Sequence, residues 1–311
     1  MTARPLLVSV PDQGYAAHLA DLDGVDTLVW DMRDTHPRVG EIELAVRPYL
    51  QQVDLDAVLT GALHLRVIQI QSAGYEDVLP HVPAGVTLCN AAGVHDASTA
   101  ELAVTLALAA QRDLTTFVHD QDRQLWPAAW SFRRSLAGSR VVVLGYGQIG
   151  RAIASRLRPF EASVTAVASR PRPGDDLVDW IHGVVELPDL VRVADVLVVV
   201  VPLTAATEHL VDADLLACMP DGALVVNVAR GGVVDTDALV AECAAGRLRA
   251  ALDVTDPEPL PAGHPLWSTP GVIITPHVGG ATQAMRPRMM MLVRRQVEAL
   301  RDGRQLANVV S

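Results

Sequence analysis

Three segments in the last third of the chain carry side chains suited to holding an anion and moving a proton. They are "NVARGGVVDTDAL" with Arg230, "ALDVTDPEPL" with Glu258, and "ITPHVGGAT" with His277. A guanidinium offers forked, charge-assisted donors to a carboxylate or a developing oxyanion. An imidazole exchanges protons near neutral pH, and a carboxylate on its far nitrogen orients it. Taken singly, each has an ordinary reading: Arg230 as a helix cap, Glu258 as a loop charge, His277 as a satisfied core histidine. Two of them follow strand-like runs and Glu258 follows "ALDV", so all three stand where strands of an open parallel sheet meet a ligand crevice. Asp235 and Asp237 read as capping carboxylates for the helix that follows.

Upstream of these groups lies "VVVLGYGQIGRAIASRL". Gly145, Gly147 and Gly150 stand in GxGxxG spacing after a buried strand and at the start of a helix, the context that makes this motif specific. Gly145 serves the tight turn, Gly147 lets backbone approach a pyrophosphate, and Gly150 lets helix and sheet touch. The helix N-terminus supplies free N–H groups and partial positive charge to the anion. About 20 residues further on, near Ala168, an acid is expected to hold a ribose 2'-hydroxyl. The chain has "VTAVASRPRPG" instead, with Ser169, Arg170 and Arg172. A carboxylate there would repel a 2'-phosphate, whereas an arginine binds it through bonds of roughly 1.5–3 kcal/mol each. The substitution predicts NADP(H) as preferred cofactor, with NAD(H) possible.

The elements that must position these residues are legible as alternating runs. "LLVSV", "DTLVW", "LRVIQIQ" and "VTLCNA" come first, then "SRVVVLG", "VTAVAS", "ADVLVVVV", "GALVVNVA" and "VIITPH". Near-continuous Val, Ile and Leu mark strands buried on both faces, so the class is α/β with parallel sheets covered by helices. The glycine turn begins only at Gly145, so another α/β unit precedes the nucleotide unit. Between them "DASTAELAVTLALAAQRDL" reads as one long helix crossing between domains, with Asp96, Ser98 or Thr99 as cap. A second long helix spans "ATQAMRPRMMMLVRRQVEALRDG", started or kinked by Pro287, with Met289, Met290 and Met291 as core filling.

Composition narrows the chemistry. The 311 residues are half apolar and 20% charged, enough to bury two cores, and the formal charge of −11 argues against nucleic acid or anionic membranes as partners. No lysine occurs, which removes Walker-type phosphate loops, Schiff-base enzymes and tyrosine–lysine dehydrogenases. Cys89, Cys218 and Cys243 lack metal-ligand spacing and read as reduced thiols, so no metal is expected. No apolar run reaches a membrane-spanning length, and a cytoplasmic location is expected.

These segments, together with "VPLTAATEHL" and "IQIQSAGYEDV", resemble the D-isomer-specific 2-hydroxyacid dehydrogenase family over nearly the whole chain. The resemblance implies a flavodoxin-like substrate domain, residues 1–95 and 280–311, into which a Rossmann nucleotide-binding domain, 96–279, is inserted. Both would be doubly wound parallel-sheet domains. It implies that Arg230 binds the carboxylate and carbonyl of a 2-oxo acid, that His277 donates the proton, and that Glu258 orients His277. Asp253 would hold the nicotinamide carboxamide. Ser72, Ala73 and Gly74 would offer backbone donors to the substrate carboxylate. Gln148, Ile149, Pro202 and Thr204 would line the cofactor, as would Val228, Ala229, Gly279 and Gly280. Homodimers are usual in such a family.

The arginines after the second strand resemble the NADPH-dependent glyoxylate and hydroxypyruvate reductases, which implies reduction of a small 2-oxo acid to the D-2-hydroxy acid. A D-3-phosphoglycerate dehydrogenase would need further cations such as Arg286 and Arg288. A dinucleotide-sensing scaffold would bind cofactor without turnover. Formate-oxidising relatives carry glutamine at the place of Glu258, and phosphite-oxidising relatives need a lysine. Tyr75 and Thr255 depart from the family's usual residues, so the pocket shape is its own.

Overall fold

In a computed structural model that describes residues 4–49, 51–127 and 132–310, the apolar runs build two sheets in two compact units. One unit comprises residues 1–95 with 283–311, the other residues 96–282.

The first unit holds β1 (Leu6–Val10), β2 (Val25–Val29), β3 (Leu44–Val46), β4 (Val67–Gln69) and β5 (Thr87–Cys89), all parallel, in the order β2-β1-β3-β4-β5. That is the flavodoxin-like order. Every residue of β1, β3 and β4 is buried, while β2 at the edge is half exposed. The helix Met285–Arg301 returns from the chain's end to cover one face, packing Met289, Leu292, Val293 and Val297 against Val8, Leu44 and Val67. Each such buried side chain contributes roughly 1.5–3 kcal/mol. Pro287 sits in this helix's first turn, where its missing N–H has no intrahelical partner to lose. Met291 differs from expectation: it is 60% exposed, because one position in three on this helix faces away from the sheet.

The second unit carries β6 (Arg140–Leu144), β7 (Ser163–Ala168), β8 (Arg172–Pro173) and β9 (Trp180–Gly183). Then follow β10 (Val196–Val199), β11 (Leu224–Asn227), β12 (Arg249–Leu252) and β13 (Val272–Ile274). The sheet order is β13-β12-β11-β10-β6-β7-β9-β8, parallel except for the antiparallel β8–β9 hairpin. Within it β9-β7-β6-β10-β11-β12 is the Rossmann order, with its topological switch between β6 and β10. Buried clusters lie on both faces, one built on Val142, Leu197 and Val225 and the other on Val141, Val198 and Val226, as the two-sided apolar runs require.

Several elements differ from the sequence expectation. β3, β8 and β9 were not expected as strands; they are defined by pairing with β1, β7 and one another, which no local pattern announces. The helix expected over residues 96–114 forms as Asp96–Gln111, and a further helix that was not expected, Leu114–Asp122, follows after Asp113, which takes a left-handed φ of 51°. Arg249 closes the first of these by donating to the Ala110 carbonyl at 2.8 Å and to Gln111 Oε1 at 2.6 Å. Asp96 opens that helix, so Ser98 and Thr99 lie inside it; Ser98 Oγ instead meets Thr282 Oγ1 at 2.7 Å. Asp235 caps its helix as expected, accepting from Ala238 N–H at 3.0 Å. No helix among the described residues is long and apolar enough to cross a membrane.

Candidate active site

The glycine turn is set by close backbone approach. Gly145 has φ +109°, its N–H donates to the Val167 carbonyl at 2.9 Å, and a side chain there would run into the Val200 carbonyl. Gly150 lies against the Gly145 carbonyl, so any Cβ at 150 would push the helix Gln148–Leu157 off the turn. Gly147 is different: nothing lies within 4 Å of where its Cβ would be. It is the N-cap of that helix, and no side chain caps the end. An open surface over a helix start with uncapped N–H groups, followed by Gln148 and Ile149, fits a dinucleotide pyrophosphate.

Beyond β7 the chain turns outward. Ser169, Arg170 and Arg172 are all exposed, and Arg170 makes no side-chain hydrogen bond or ion pair among the described residues. Arg172 commits one donor to the Tyr146 carbonyl in the glycine turn, at 3.0 Å. After β10, Thr207 Oγ1 donates to the Pro202 carbonyl at 2.6 Å and accepts from Thr204 N–H at 2.8 Å, which fixes that loop.

The reactive residues arise from three neighbouring strand ends. After β11, buried Asn227 organises the turn: its Oδ1 accepts from Ala229 N–H at 3.0 Å, and its Nδ2 donates to the Arg230 carbonyl at 2.9 Å. Val228 and Ala229 are buried, while the Arg230 guanidinium donates to the Ala229 carbonyl at 2.7 Å and stays partly exposed. Gly231 then presses directly on the Thr255 carbonyl, leaving no room for a Cβ, so the loops after β11 and β12 are locked together. Sequence reading missed both Asn227 and Gly231. A polar residue closing an apolar strand was the available signal for Asn227; Gly231 had none, since its constraint comes from a residue 24 positions away.

Asp253, at the end of β12, is buried and accepts from Thr275 Oγ1 at 2.6 Å, Val278 N–H at 2.9 Å and Gly279 N–H at 2.8 Å. Its carbonyl accepts from His277 N–H at 2.7 Å. The loop bearing His277, Gly279 and Gly280 is thus built around Asp253. His277 itself is held at φ +53°, uncommon for a residue with a side chain and frequent at functional sites.

His277 Nδ1 lies 2.5 Å from Glu258 Oε1, both side chains remaining partly exposed. A carboxylate only accepts, so the imidazole proton in this bond sits on Nδ1 and Nε2 is left for chemistry. The hydrogen bond from His277 is the main reason the Glu258 carboxyl is held below its ordinary value; burial opposes it, and the His277 charge, the Thr255 N–H and the Arg230 charge assist. Arg230, Glu258 and His277 therefore act within one electrostatic neighbourhood.

In the other unit, Ser72, Ala73 and Gly74 follow β4. The Ala73 carbonyl accepts from Asn90 Nδ2 at 2.8 Å and the Gly74 carbonyl from Ser72 Oγ at 2.7 Å. No described group accepts from the N–H of Ala73 or Gly74, so both donors are uncommitted within the chain. Among the described residues no group of three or more His, Cys, Asp or Glu side chains could hold a metal ion.

Comparison with known proteins agrees with this geometry. A family model described as D-isomer specific 2-hydroxyacid dehydrogenase, NAD binding domain, matches residues 104–279. The chain is 35% identical over 247 residues to a glyoxylate reductase/hydroxypyruvate reductase of Homo sapiens, covering 77% of this chain and 75% of that protein. It is 32% identical over 276 residues to a glyoxylate reductase of Thermococcus kodakarensis, covering 86% and 82%. A solved D-isomer specific 2-hydroxyacid dehydrogenase from Xanthobacter autotrophicus, in complex with NADPH and MES, superposes with a TM-score of 0.84 at 28% identity, covering 99% of this chain and 98% of that one.

Proposed function

The chain belongs to the D-isomer specific 2-hydroxyacid dehydrogenase family, and from that premise we propose that it reduces a small 2-oxo acid of the glyoxylate or hydroxypyruvate kind to the D-2-hydroxy acid with NADPH. The observation that carries the reading is the His277–Glu258 pair, 2.5 Å apart at the same carboxyl end of the parallel strands as the glycine turn and within reach of the Arg230 charge. Gly145, Gly147 and Gly150 with the helix start after them would hold a nicotinamide dinucleotide, which would supply the hydride. Arg230 holds the acid's carboxylate and polarises its carbonyl. His277 delivers a proton from Nε2 to the carbonyl oxygen while Glu258, on Nδ1, keeps the ring oriented and balances its charge. By the family resemblance Ser72, Ala73 and Gly74 would offer backbone donors to a carboxylate, and Gly279 and Gly280 with Val228 and Ala229 would line a nicotinamide. Asp253 both shapes the His277 loop and has acceptor capacity left for the carboxamide.

NADPH preference is supported by Ser169, Arg170 and Arg172 standing where an acid would exclude a 2'-phosphate, and by the Xanthobacter relative's NADPH complex. In this reading residues 96–279 belong to the nucleotide domain, whose compact unit runs on to 282, and residues 1–95 with the C-terminal segment form the substrate domain. Of the two further cations the phosphoglycerate alternative needs, Arg286 is already paired to Asp12 through bonds of 3.0 and 2.6 Å, which leaves only Arg288. A homodimer is supported by the helix Leu114–Asp122, which buries none of its own residues and exposes Leu114, Phe117 and Val118. A cytoplasmic setting is supported by the free thiols of Cys89, Cys218 and Cys243.

Initial rates with NADPH and NADH, each against glyoxylate, hydroxypyruvate, pyruvate and phenylpyruvate, test the reading. Faster oxidation of NADPH with one of the first two acids is expected. Cofactor binding with no turnover on any acid would make the protein a dinucleotide-sensing scaffold instead.

A further inference from the structure

Tyr146, the middle residue of the glycine turn, belongs to two places at once. Its backbone is part of the phosphate turn, and its side chain is buried with Ala154, Ala166, Val178 and Ile181 beneath the β8–β9 hairpin. There its hydroxyl donates to Asp175, 3.0 and 3.2 Å from the two carboxylate oxygens. Asp175 lies in the turn of that hairpin, where its Oδ1 also accepts from Leu177 N–H at 2.9 Å. From the helix that follows the glycines, Arg151 donates to Asp175 at 2.9 Å and pairs with Asp176. From β8, Arg172 donates back to the Tyr146 carbonyl at 3.0 Å. The hairpin is thereby tied to the phosphate turn through β8 and through its own turn.

Between β7 and β8 only Ser169, Arg170 and Pro171 remain, and both ends of that short span are anchored. We infer that Tyr146 is a positioning residue for cofactor choice: through Asp175 its hydroxyl holds the hairpin so that Arg170 stands ready for a ribose 2'-phosphate. This rests on the NADPH reading above and adds the part of the chain that sets it. A span ordered before binding avoids the cost of ordering it on contact with the ligand. The tie is suited to permanence, because burial first, and Asp175 second, push the Tyr146 hydroxyl up to about 12, so it remains a donor. Burial pushes the Asp175 carboxyl up, yet the Leu177 N–H, Tyr146 and Arg151 donors outweigh it and keep it ionised below its ordinary range.

Calorimetric titration of the whole protein with NADPH, NADH, 2',5'-ADP and 5'-AMP tests this without turnover. Tyr146→Phe keeps the ring and removes the hydroxyl. It should weaken NADPH and 2',5'-ADP about tenfold, leave NADH and 5'-AMP within about twofold, and leave Tm nearly unchanged. Asp175→Asn should show the same split. In an Arg170→Ala background, Tyr146→Phe should add nothing, because a group acting through Arg170 is silent without it. Equal weakening of phosphorylated and unphosphorylated ligands, no weakening at all, or an effect that persists without Arg170 each overturns the inference. Should Arg170→Ala itself weaken NADPH and NADH alike, the NADPH reading falls and takes this one with it. An effective Arg170→Ala beside a silent Tyr146→Phe removes the Tyr146 tie alone.

Discussion

Protonation of a carbonyl oxygen needs an acid at the right place, and His277 is placed by its backbone before its ring is considered. Its N–H donates to Asp253, its φ is left-handed, and Glu258 then fixes the imidazole through Nδ1. His277→Ala should lower kcat by about 10²–10⁴, the usual range for a lost general acid, with the NADPH dissociation constant nearly unchanged. Arg230→Ala should raise KM for the 2-oxo acid as well, since the carboxylate loses its forked partner; full activity in either variant would remove the residue from the mechanism. Glu258 also makes a stability prediction. Its folded-state carboxyl, held below 4.5 chiefly by the His277 bond, binds a proton less tightly than in the unfolded chain. The stabilisation is therefore complete above the ordinary carboxylate range and is lost as pH falls through it toward the lowered folded value. Melting curves between about pH 7 and 3.5 should show the wild type losing Tm more steeply than Glu258→Gln, the two converging at the acid end.

At the scale of elements, the three fingerprint glycines make separable predictions. Gly150 abuts the Gly145 carbonyl, so Gly150→Ala should lose about 1–3 kcal/mol by overpacking and a corresponding several degrees of Tm. Gly147 faces open space at an ordinary φ of −92°, so Gly147→Ala should melt like the wild type yet bind dinucleotide at least tenfold more weakly. Thermal denaturation beside cofactor titration separates the two, and a Gly147→Ala protein that binds normally would place the pyrophosphate elsewhere. Gly231 belongs with Gly150 in kind, because its contact with the Thr255 carbonyl holds together the loops of Arg230 and Glu258.

At the scale of the molecule, the helix Leu114–Asp122 departs from a chain that otherwise buries its apolar runs, since none of its residues is buried. Leu114, Phe117 and Val118 are exposed on it, and Leu125 and Trp126 follow close behind. The proposed second copy would cover side chains that no described element of their own unit buries. Light scattering after size exclusion should give a dimer for the wild type and a monomer for Phe117→Asp combined with Val118→Asp. A wild-type monomer would dismiss the assembly while leaving the site chemistry standing.

The order of strands and glycines was legible along the chain because buried parallel strands and phosphate turns write local signatures: continuous apolar runs, and glycine at fixed offsets. Arg230, Glu258 and His277 stood out through residue type and place after those runs, as did the arginines beyond β7. What remained hidden depends on distance in sequence. Tyr146 meets Asp175 across 29 residues, Gly231 meets Thr255 across 24, and Asp253 organises a loop more than 20 residues on. Strands such as β3 and β9 are defined by pairing with their neighbours, which no local pattern announces. By itself the sequence determined which groups are available and on which strand ends they stand. The tertiary structure alone decided which groups touch, since hydrogen bonds and close backbone contacts depend on distances of a few ångströms that no linear spacing encodes.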